Sequence, residues 1–369
     1  MKILITGSNG FVGKNLVETL KTKNDIELYL YDTDNTYEDL ENFCKDCEFV
    51  VNLAGVNRTT DNTQFVKGNL SVIEQIVDLL VKNNNKCPIL YSSSIQALLD
   101  NDYGKSKKMG EDFVFNYSKE NNVPVYVYRF PNLFGKWSKP NYNTVIATFC
   151  YNVARDIEIQ VNDRAKELTL AYIDDVVNEI YNAILGKANV VNGFGEIPVV
   201  HTKTLGEIAD LIIKFKQTRD NLNVINTADA FEKKLYSTYL SFLPEQEFAY
   251  SVKSNVDNRG SFTELIRTEN AGQFSVNVAK PGITKGNHWH NTKNEKFIVV
   301  KGKAEICFRQ PFSDEVIKYV VSGDEIKVVD IPCGYTHNIK NIGEDDMVFV
   351  IWCNECFDKD NPDTYFLEV

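Results

Sequence analysis

The chain contains 369 residues, carries a formal net charge of −11, and is 43% hydrophobic and 25% charged. This composition is typical of a globular protein, and the length exceeds one ordinary hydrophobic core, so we expect two domains. The acidic balance argues against nucleic acid and against an anionic membrane surface as partners, because both attract basic proteins.

The eight cysteines and the amino-terminal sequence bear on the compartment of the protein. The apolar stretch "ILIT" before Gly7 is far shorter than the h-region of a signal peptide, and no apolar run has the length of a membrane span. We therefore expect a cytoplasmic protein with reduced thiols. Cys44/Cys47 and Cys353/Cys356 have CxxC spacing, and we interpret them as packing residues, since cysteine commonly behaves as a small buried hydrophobe.

The first predicted elements form a unit of strand, glycine turn and helix. The strand "KILIT" runs directly into "GSNGFVG" and the helical pattern "KNLVETLKTK". Glycines in such a turn allow the backbone to approach a pyrophosphate, which binds at the amino terminus of the helix. A second strand, "IELYLYD", ends in Asp32, where dinucleotide sites place an acceptor for a ribose hydroxyl. The sequence therefore predicts a dinucleotide site.

Strands and helices continue to alternate after this unit. The segments "CEFVVNLAG", "CPILYSSS" and "VPVYVYRF" have strand character, and "NLSVIEQIVDLLVKN" and "YGKSKKMGEDFVFNYSKEN" have helix character. Apolar, β-branched strands that alternate with helices indicate a parallel sheet that is covered on both faces. We predict an α/β doubly wound, Rossmann-type domain.

This half of the chain resembles the extended short-chain dehydrogenase/reductase family, which includes nucleotide-sugar epimerases, dehydratases and reductases. The resemblance rests on "TGSNGFVG", "NLAG", "YSSS", "YGKSK", "RFPNLFG" and "YIDDV", which occur in the family's order. It implies a nicotinamide cofactor in contact with Gly7, Asn9, Gly10, Phe11, Val12, Gly13, Asp32, Leu53, Ala54, Gly55, Arg58, Tyr103 and Lys107.

The spacing of Tyr103 and Lys107 has a chemical reason. Four residues on a helix place both side chains on one face, and a nearby ammonium lowers the pKa of a phenol. We therefore expect Tyr103 to exchange a proton with the substrate near neutral pH. By resemblance, Lys107 also holds the nicotinamide ribose. A serine contacts the substrate oxygen, and Ser94 is preferred over Ser93 for that role.

Two opposing signals bear on the phosphate state of the cofactor. Asp32 repels a 2′-phosphate and so favours NADH, whereas Lys14 and Arg58 can offset that repulsion. The family resemblance implies NADPH, which we take as the expected cofactor while leaving NADH open.

Three further helical patterns follow, and the last of them ends at Pro244. The pattern of apolar and polar residues changes after this point. We interpret His201, just before the second of these patterns, as a loop residue without a chemical role. From about Phe248 the sequence consists of short alternating runs separated by turn residues, as in a jelly roll. We predict a reductase domain over 1–246 and an all-β domain over 247–369.

The all-β region carries three of the four histidines, two of them in "HWH". Side chains two residues apart on a strand point to the same face, and residues from later strands can converge on them. The spacing from Gly282 to Gly302 and from Pro332 to Asn341 reproduces the two motifs of the cupin family, which the domain resembles. Imidazoles with a carboxylate suit zinc or another divalent ion. We predict a metal site, with zinc preferred, formed by His288, His290, Glu295 and His337.

A second resemblance concerns "DNRGSFTELI" and "GQFSVNVAKPGITKGNHWHN", which are similar to the nucleotide-diphospho-4-keto-sugar 3,5-epimerases, themselves cupins. Those enzymes generally lack a metal and use histidine and tyrosine as acid and base. This chain has the full ligand set and carries Lys285 where their "RGLH" motif has arginine. The acid and base of this domain therefore stay unassigned.

The two predicted domains fit two reactions on one sugar. A ketone acidifies the adjacent C–H bond, so a metal-binding cupin can invert carbon 3 of a UDP-4-keto-6-deoxy-HexNAc before a reductase acts on carbon 4. The pairing resembles the bifunctional capsular-polysaccharide enzymes that form UDP-2-acetamido-2,6-dideoxy-β-L-talose, on the route to UDP-N-acetyl-L-fucosamine. Two alternatives stay open: an NAD-retaining epimerase or dehydratase with a passive sugar-binding cupin, and a reductase fused to a cupin oxygenase or isomerase. Such folds commonly form C2 homodimers.

Overall fold

The structure, a computed structural model, describes residues 1–56, 63–142, 144–268 and 270–369. These residues form two compact units. The first unit contains Met1–Ile213 and Asp229–Pro244, and the second contains Lys214–Ala228 and Glu245–Val369. Within the described ranges, none of the helices combines the length and the apolar character that crossing a membrane requires.

The first unit is built on a mostly parallel sheet. Its strands are β1 (Lys2–Thr6), β2 (Glu27–Tyr31), β3 (Phe49–Asn52), β4 (Ile89–Ser94), β5 (Val125–Phe130), β6 (Asn132–Phe134), β7 (Glu167–Tyr172), β8 (Val190–Val191), β9 (Phe194–Gly195) and β10 (His201–Thr204). Seven of them pair in the order β2-β1-β3-β4-β5-β9-β8, and a separate sheet has the order β10-β7-β6. Because the strand order reverses at β1, a ligand crevice is expected at the carboxyl ends of β1 and β3.

Eight helices cover this architecture in the described ranges. They are α1 (Phe11–Leu20), α2 (Tyr37–Cys44), α3 (Thr63–Lys82), α4 (Asp102–Asn121), α5 (Val145–Val153), α6 (Ile173–Ile184), α7 (Leu205–Asn221) and α8 (Ala230–Leu240). Polar side chains satisfy the first free N–H groups of several helices. Thr36 and Asp39 form a capping box at α2, and the Asn101 side chain accepts a hydrogen bond from the Gly104 N–H at 2.7 Å.

The alternation of side chains along β1 shows why the sheet is covered on both faces. Ile3 and Ile5 lie in one hydrophobic cluster with Leu16 of α1, whereas Leu4 lies in a second cluster with Ile76 of α3. All five side chains are fully buried. A strand that is buried on both faces has a continuous apolar sequence, and "KILIT" contains such a sequence.

Apart from the segment Lys214–Ala228, which includes the end of α7, the second unit consists mainly of two antiparallel sheets. Its strands are β11 (Ser254–Asp257), β12 (Gly260–Thr268), β13 (Gly272–Ala279), β14 (Thr284–Trp289), β15 (Glu295–Lys301), β16 (Lys303–Arg309), β17 (Val316–Ser322), β18 (Val328–Ile331), β19 (Thr336–Asn341), β20 (Met347–Cys353) and β21 (Tyr365–Phe366). One sheet has the order β11-β12-β13-β20-β15-β18 and the other β17-β16-β19-β14-β21. The two sheets share a core that includes Phe297, Phe308 and Phe349.

The predicted fold class is confirmed: a doubly wound parallel sheet in the first unit and an antiparallel jelly-roll arrangement in the second. The interpretation of His201 as a loop residue is wrong, because His201 begins β10 and pairs with Leu170 of β7. Its ring also lies against Phe231, with a centroid distance of 5.3 Å and an angle of 52° between the rings. The short strand escaped prediction because "HTKT" has no apolar alternation to reveal it.

Candidate dinucleotide and metal sites

The glycine turn between β1 and α1 is closed against the end of β3. Gly7 has a φ of +69°, and a Cβ at this position would lie 2.8 Å from the Ala54 nitrogen. A Cβ on Gly13 would lie 2.2 Å from the Gly7 oxygen, so neither position accepts a side chain without backbone movement. The Asn9 N–H donates to Asp32 Oδ2 at 2.8 Å, which joins the turn to the end of β2. The free amino terminus of α1 is therefore presented as a phosphate cradle.

The residues after β3 bring the turn to the helix that carries Tyr103 and Lys107. Leu53 and Ala54 follow β3, and the Leu53 N–H donates to the Thr6 oxygen at 3.1 Å. A Cβ on Gly55 would lie 3.1 Å from Lys107 Nζ. The predicted cofactor residues near β1 and β3 are therefore neighbours in space.

The remaining predicted cofactor residues have different settings. Phe11 and Val12 are partly buried against the core beneath the turn. Arg58 lies outside the described residues.

Tyr103 and Lys107 lie one turn apart at the start of α4. Lys107 Nζ is 6.0 Å from the centre of the Tyr103 ring and donates to the Ser92 carbonyl oxygen at 3.0 Å. Gly104 allows this helix start to pack closely, because a Cβ there would lie 2.2 Å from the Gln96 oxygen. The helix face therefore presents a phenol and an ammonium beside the carboxyl end of β4.

The ionisation of this pair differs from the expectation. Burial raises the pKa of Tyr103, and a hydrogen bond with Ser94 lowers it by less. Burial also lowers the pKa of Lys107 to about 8, against the negative charge of Glu111, which raises it. The predicted lowering of the Tyr103 pKa is therefore wrong in this structure, because burial outweighs the lowering effect of Ser94. A phenol with a raised pKa keeps its proton at neutral pH, which is the form that can protonate an alkoxide.

The two candidate serines at the end of β4 have different partners. Ser94 forms a hydrogen bond with Tyr103, whereas the Ser93 hydroxyl donates to Glu111 Oε1 at 2.6 Å. Glu111 is fully buried and accepts from Arg129 Nε at 2.8 Å and Arg129 Nη2 at 2.6 Å. The geometry favours Ser94 as the substrate contact. Sequence reasoning missed Glu111, although its position one helical turn after Lys107 was a usable signal.

Three strands bring the four predicted metal ligands together in the second unit. His288 lies in β14, His290 follows that strand, Glu295 begins β15 and His337 lies in β19. One candidate ligand atom from each of the four lies within 4.8 Å of the others. Three of the four side chains are buried, and His288 is half-buried.

The tautomer of His290 is set by its second ring nitrogen. His290 Nδ1 lies 2.7 Å from the Asp363 carbonyl oxygen, which can only accept, so Nδ1 carries the proton. His290 Nε2 is buried, lies 3.4 Å from Glu295 Oε2, and makes no hydrogen bond with any residue in the described ranges. A buried imidazole nitrogen with a free lone pair beside a carboxylate fits a divalent cation.

The charge state of the cluster also fits a cation. Burial, followed by the effect of His337, lowers the pKa of His288 to about 4. Burial raises the pKa of Glu295, but the neighbouring His290 and His337 lower it more, and the net shift is downward. The cluster therefore offers a neutral His288 imidazole and an ionised Glu295 carboxylate, the forms that bind metals.

Two residues that the sequence did not reveal support these ligands. The Asp363 carboxylate accepts from the N–H groups of Thr292 at 2.9 Å and Lys293 at 3.0 Å, which fixes the loop after His290. The Cys353 thiol donates to Glu295 Oε1 at 3.2 Å. Neither contact has a sequence signal, because both residues are remote from the cupin motifs.

Comparisons with known proteins match both parts of the chain. Residues 3–193 match the model of the NAD dependent epimerase/dehydratase family, and residues 255–365 match the polysaccharide biosynthesis C-terminal domain. The chain is 41% identical, over 100% of its length and 99% of the relative's, to UDP-2-acetamido-2,6-beta-L-arabino-hexul-4-ose reductase from Pseudomonas aeruginosa. The predicted resemblance to capsular-polysaccharide enzymes is confirmed by this relative and by a solved structure.

That structure is the capsular polysaccharide assembling protein CapF from Staphylococcus aureus, which has a TM-score of 0.95 and 55% identity, with 100% of both chains covered. UDP-glucose 4-epimerase from Thermus thermophilus, solved in complex with NAD, shares the fold of the first unit. Its TM-score is 0.55 at 14% identity, over 68% of this chain and 100% of that one. The chain belongs to the NAD dependent epimerase/dehydratase family.

Proposed function

We propose that the chain is a bifunctional nucleotide-sugar enzyme of capsule biosynthesis. The second unit epimerises carbon 3 of a UDP-4-keto-6-deoxy-HexNAc, and the first unit reduces the carbon 4 ketone to give UDP-2-acetamido-2,6-dideoxy-β-L-talose. The observation that carries the proposal is the presence in one chain of the Tyr103 and Lys107 helix face and of the histidine and glutamate cluster. The full-length relatives, one named a hexul-4-ose reductase and one a capsular polysaccharide assembling protein, support it.

In the reduction, residues of the first unit bind the cofactor and the substrate and protonate the carbon 4 oxygen. NADPH, held by the glycine turn, would supply the hydride. Ser94 holds the carbon 4 oxygen by a hydrogen bond, and Tyr103 gives its proton to that oxygen as the alkoxide forms. Lys107 holds the cofactor ribose and is fixed by the Ser92 carbonyl. The raised pKa of Tyr103 supports its role as the acid.

In the epimerisation, the second unit holds a cation at the ketone. His288, His290, Glu295 and His337 would hold a divalent ion, zinc by preference, which would supply Lewis acidity to the carbonyl. Asp363 keeps His290 Nδ1 protonated so that Nε2 faces the other ligands. Inversion at carbon 3 requires removal and return of a proton on opposite faces of the sugar, within the mouth of the jelly roll.

The experiment follows both steps on one substrate in heavy water. A UDP-4-keto-6-deoxy-HexNAc is incubated with the protein, with and without NADPH, and deuterium at carbon 3 is measured by NMR. We expect exchange without NADPH and reduction only with it. His290→Ala should stop the exchange and Tyr103→Phe only the reduction. Loss of both activities in both folded variants would contradict the division of labour.

The cofactor preference and the metal are tested separately. We expect kcat/KM to be higher with NADPH than with NADH, and net consumption of reduced cofactor excludes an NAD-retaining epimerase. Elemental analysis should give about one zinc per chain and none in His290→Ala. Oxygen uptake by an iron-loaded form would instead support a cupin oxygenase.

We also propose a cytoplasmic homodimer. The edge strand β17 supports it, because four apolar side chains stand exposed on a strand with one unpaired side: Val316, Ile317, Tyr319 and Val320. Light scattering should give about twice the chain mass of 42.0 kDa. A monomer at micromolar concentration would contradict the proposal.

A further inference from the structure

Three cysteines form a cluster of sulfur atoms that the proposed reactions do not use. Cys44 is the last residue of α2, Cys47 precedes β3 and Cys87 precedes β4. All three are buried free thiols. β3 and β4 are parallel, and their carboxyl ends face the dinucleotide site. The sulfur cluster lies at their amino-terminal ends, on the opposite side of the sheet. The cluster is therefore separate from the cofactor and substrate residues.

Cys47 and Cys87 are held in contact by one asparagine. Their Sγ atoms are 3.7 Å apart. Asn85 Nδ2 donates to the Cys47 carbonyl oxygen at 2.9 Å, and Asn85 Oδ1 accepts from the Cys87 N–H at 3.0 Å. A disulfide requires an S–S distance of about 2.05 Å, so the sulfurs need to approach by less than about 2 Å. Rotation of the two side chains between neighbouring rotamers supplies a movement of that size.

An open polar cavity adjoins this pair, whose residues are themselves buried. Its volume is about 490 Å³, and Cys47 and Cys87 both line it, together with Lys45 and Lys86. Cys44 does not line it. Asn83 is also in the wall, and its Nδ2 is buried without a hydrogen-bond partner among the described residues. A cavity with such a wall admits small polar molecules, including hydrogen peroxide.

We propose that Cys47 and Cys87 are a redox-modification site, at which hydrogen peroxide converts the two thiols into a disulfide that joins the starts of β3 and β4. The Cys47 thiolate attacks one peroxide oxygen, the O–O bond breaks, and Cys47 becomes a sulfenic acid. The other oxygen leaves as hydroxide and takes up the proton that the Cys47 thiol had released, which gives water. The Cys87 sulfur then attacks the Cys47 sulfur, the S–S bond forms, and a second water molecule leaves. Two thiols and one peroxide thus give one disulfide and two waters.

The surroundings assign Cys47 as the attacking residue. Contacts with the Cys44 and Cys87 thiols lower the pKa of Cys47. Their own pKa values are raised, first by that contact with Cys47 and then by burial. The thiolate is the nucleophilic form, so Cys47 reacts first. Cys87 resolves the sulfenic acid because it shares the cavity, whereas Cys44 does not.

The test treats the reduced full-length protein with a small excess of hydrogen peroxide. We expect titration under denaturing conditions to show six free thiols instead of eight. Mass spectrometry of the digest should show a Cys47–Cys87 peptide that dithiothreitol removes. The bond closes a loop of 40 residues, so the Tm of the first unit should rise by about 5 °C or more.

Two variants make the outcome specific. Cys87→Ala should abolish the rise in Tm and leave Cys47 as a sulfenic acid that dimedone traps. Cys150→Ala removes an equally buried thiol of α5 and should keep the full response. An unchanged thiol count, or a Cys44–Cys47 bond in the wild-type digest, overturns the proposal. The wild-type digest decides the matter even if a variant does not fold.

Discussion

The dinucleotide site and the metal site are assembled in opposite ways. In the first unit, the glycine turn spans only Gly7 to Gly13, and Tyr103 and Lys107 are one helical turn apart. In the second unit, the ligands run from His288 to His337 and meet only when three strands of the jelly roll are in place. The first site is therefore defined mainly by local backbone geometry, and the second by long-range pairing.

This difference has a consequence for the supporting residues. The helix face of Tyr103 and Lys107 is held against the neighbouring strand β4. The Ser92 carbonyl accepts from Lys107, and buried Glu111 of the same helix accepts from Ser93. The metal cluster depends on Asp363, far along the chain. Its carbonyl oxygen accepts a hydrogen bond from His290 Nδ1, and its carboxylate fixes the loop that follows. Changes in supporting residues should accordingly alter proton transfer and pKa values in the first unit, and cation affinity in the second.

The largest expected effect concerns catalysis, where one substitution should affect the reaction of the first unit and leave that of the second unchanged. Tyr103→Phe removes the proposed acid, so kcat for ketone reduction should fall by about 10²–10⁴-fold, while carbon 3 exchange stays unchanged. Tyr91→Phe is a matched control, because the Tyr91 hydroxyl is buried and has no hydrogen-bond partner in the described parts of the chain. Equal loss of reduction in both variants would contradict the role of Tyr103.

The second prediction concerns the buried ion pair beneath the first site. Glu111→Gln leaves Arg129 without its carboxylate and should lower the free energy of unfolding of the first unit by about 3 kcal/mol. Asp112→Asn, on the same helix, breaks an exposed pair with Lys108 and should cost less than about 1 kcal/mol. Urea unfolding of both variants measures the difference. A loss below about 1 kcal/mol in Glu111→Gln would show that the pair is not a structural support.

The third prediction concerns the distant support of the metal cluster. Asp363→Ala removes the carboxylate that fixes Thr292 and Lys293, so the zinc affinity should fall by about 10–100-fold. Asp360→Ala, an exposed acid in the same segment, is the control and should leave the affinity unchanged. Competition with a chelator of known affinity measures both. Equal affinities would mean that the strands alone position the ligands.

The sequence predicted the residues that form each site better than the residues that support them. The glycines and the HxH pair could be identified because their spacing follows from helix and strand geometry. Glu111, Asp363 and Cys353 could not, since each acts through a contact between elements that only the folded chain brings together. The sign of the Tyr103 pKa shift was also missed, because it depends on burial, and sequence spacing reports only the nearby charge of Lys107.

The smallest expected effect tests directly how burial changes the charge of Lys107. Burial lowers the pKa of Lys107 to about 8, so its ammonium is present below that pH and is lost above it. If the charged form binds the cofactor, the Kd for NADPH should rise with pH above about 8, by at most tenfold per pH unit. Fluorescence titration of NADPH at several pH values measures this without turnover.

Two variants assign the pH dependence to one group. Tyr103→Phe should keep the rise in Kd, because burial raises the pKa of Tyr103 and removes that residue from this pH range. Glu111→Gln should move the rise to lower pH, because the Glu111 charge is what raises the pKa of Lys107 against burial. A rise that vanishes in Tyr103→Phe would transfer the titration from the ammonium to the phenol. The cofactor site would then depend on the proton of Tyr103, and binding and proton transfer in the first unit could not be separated.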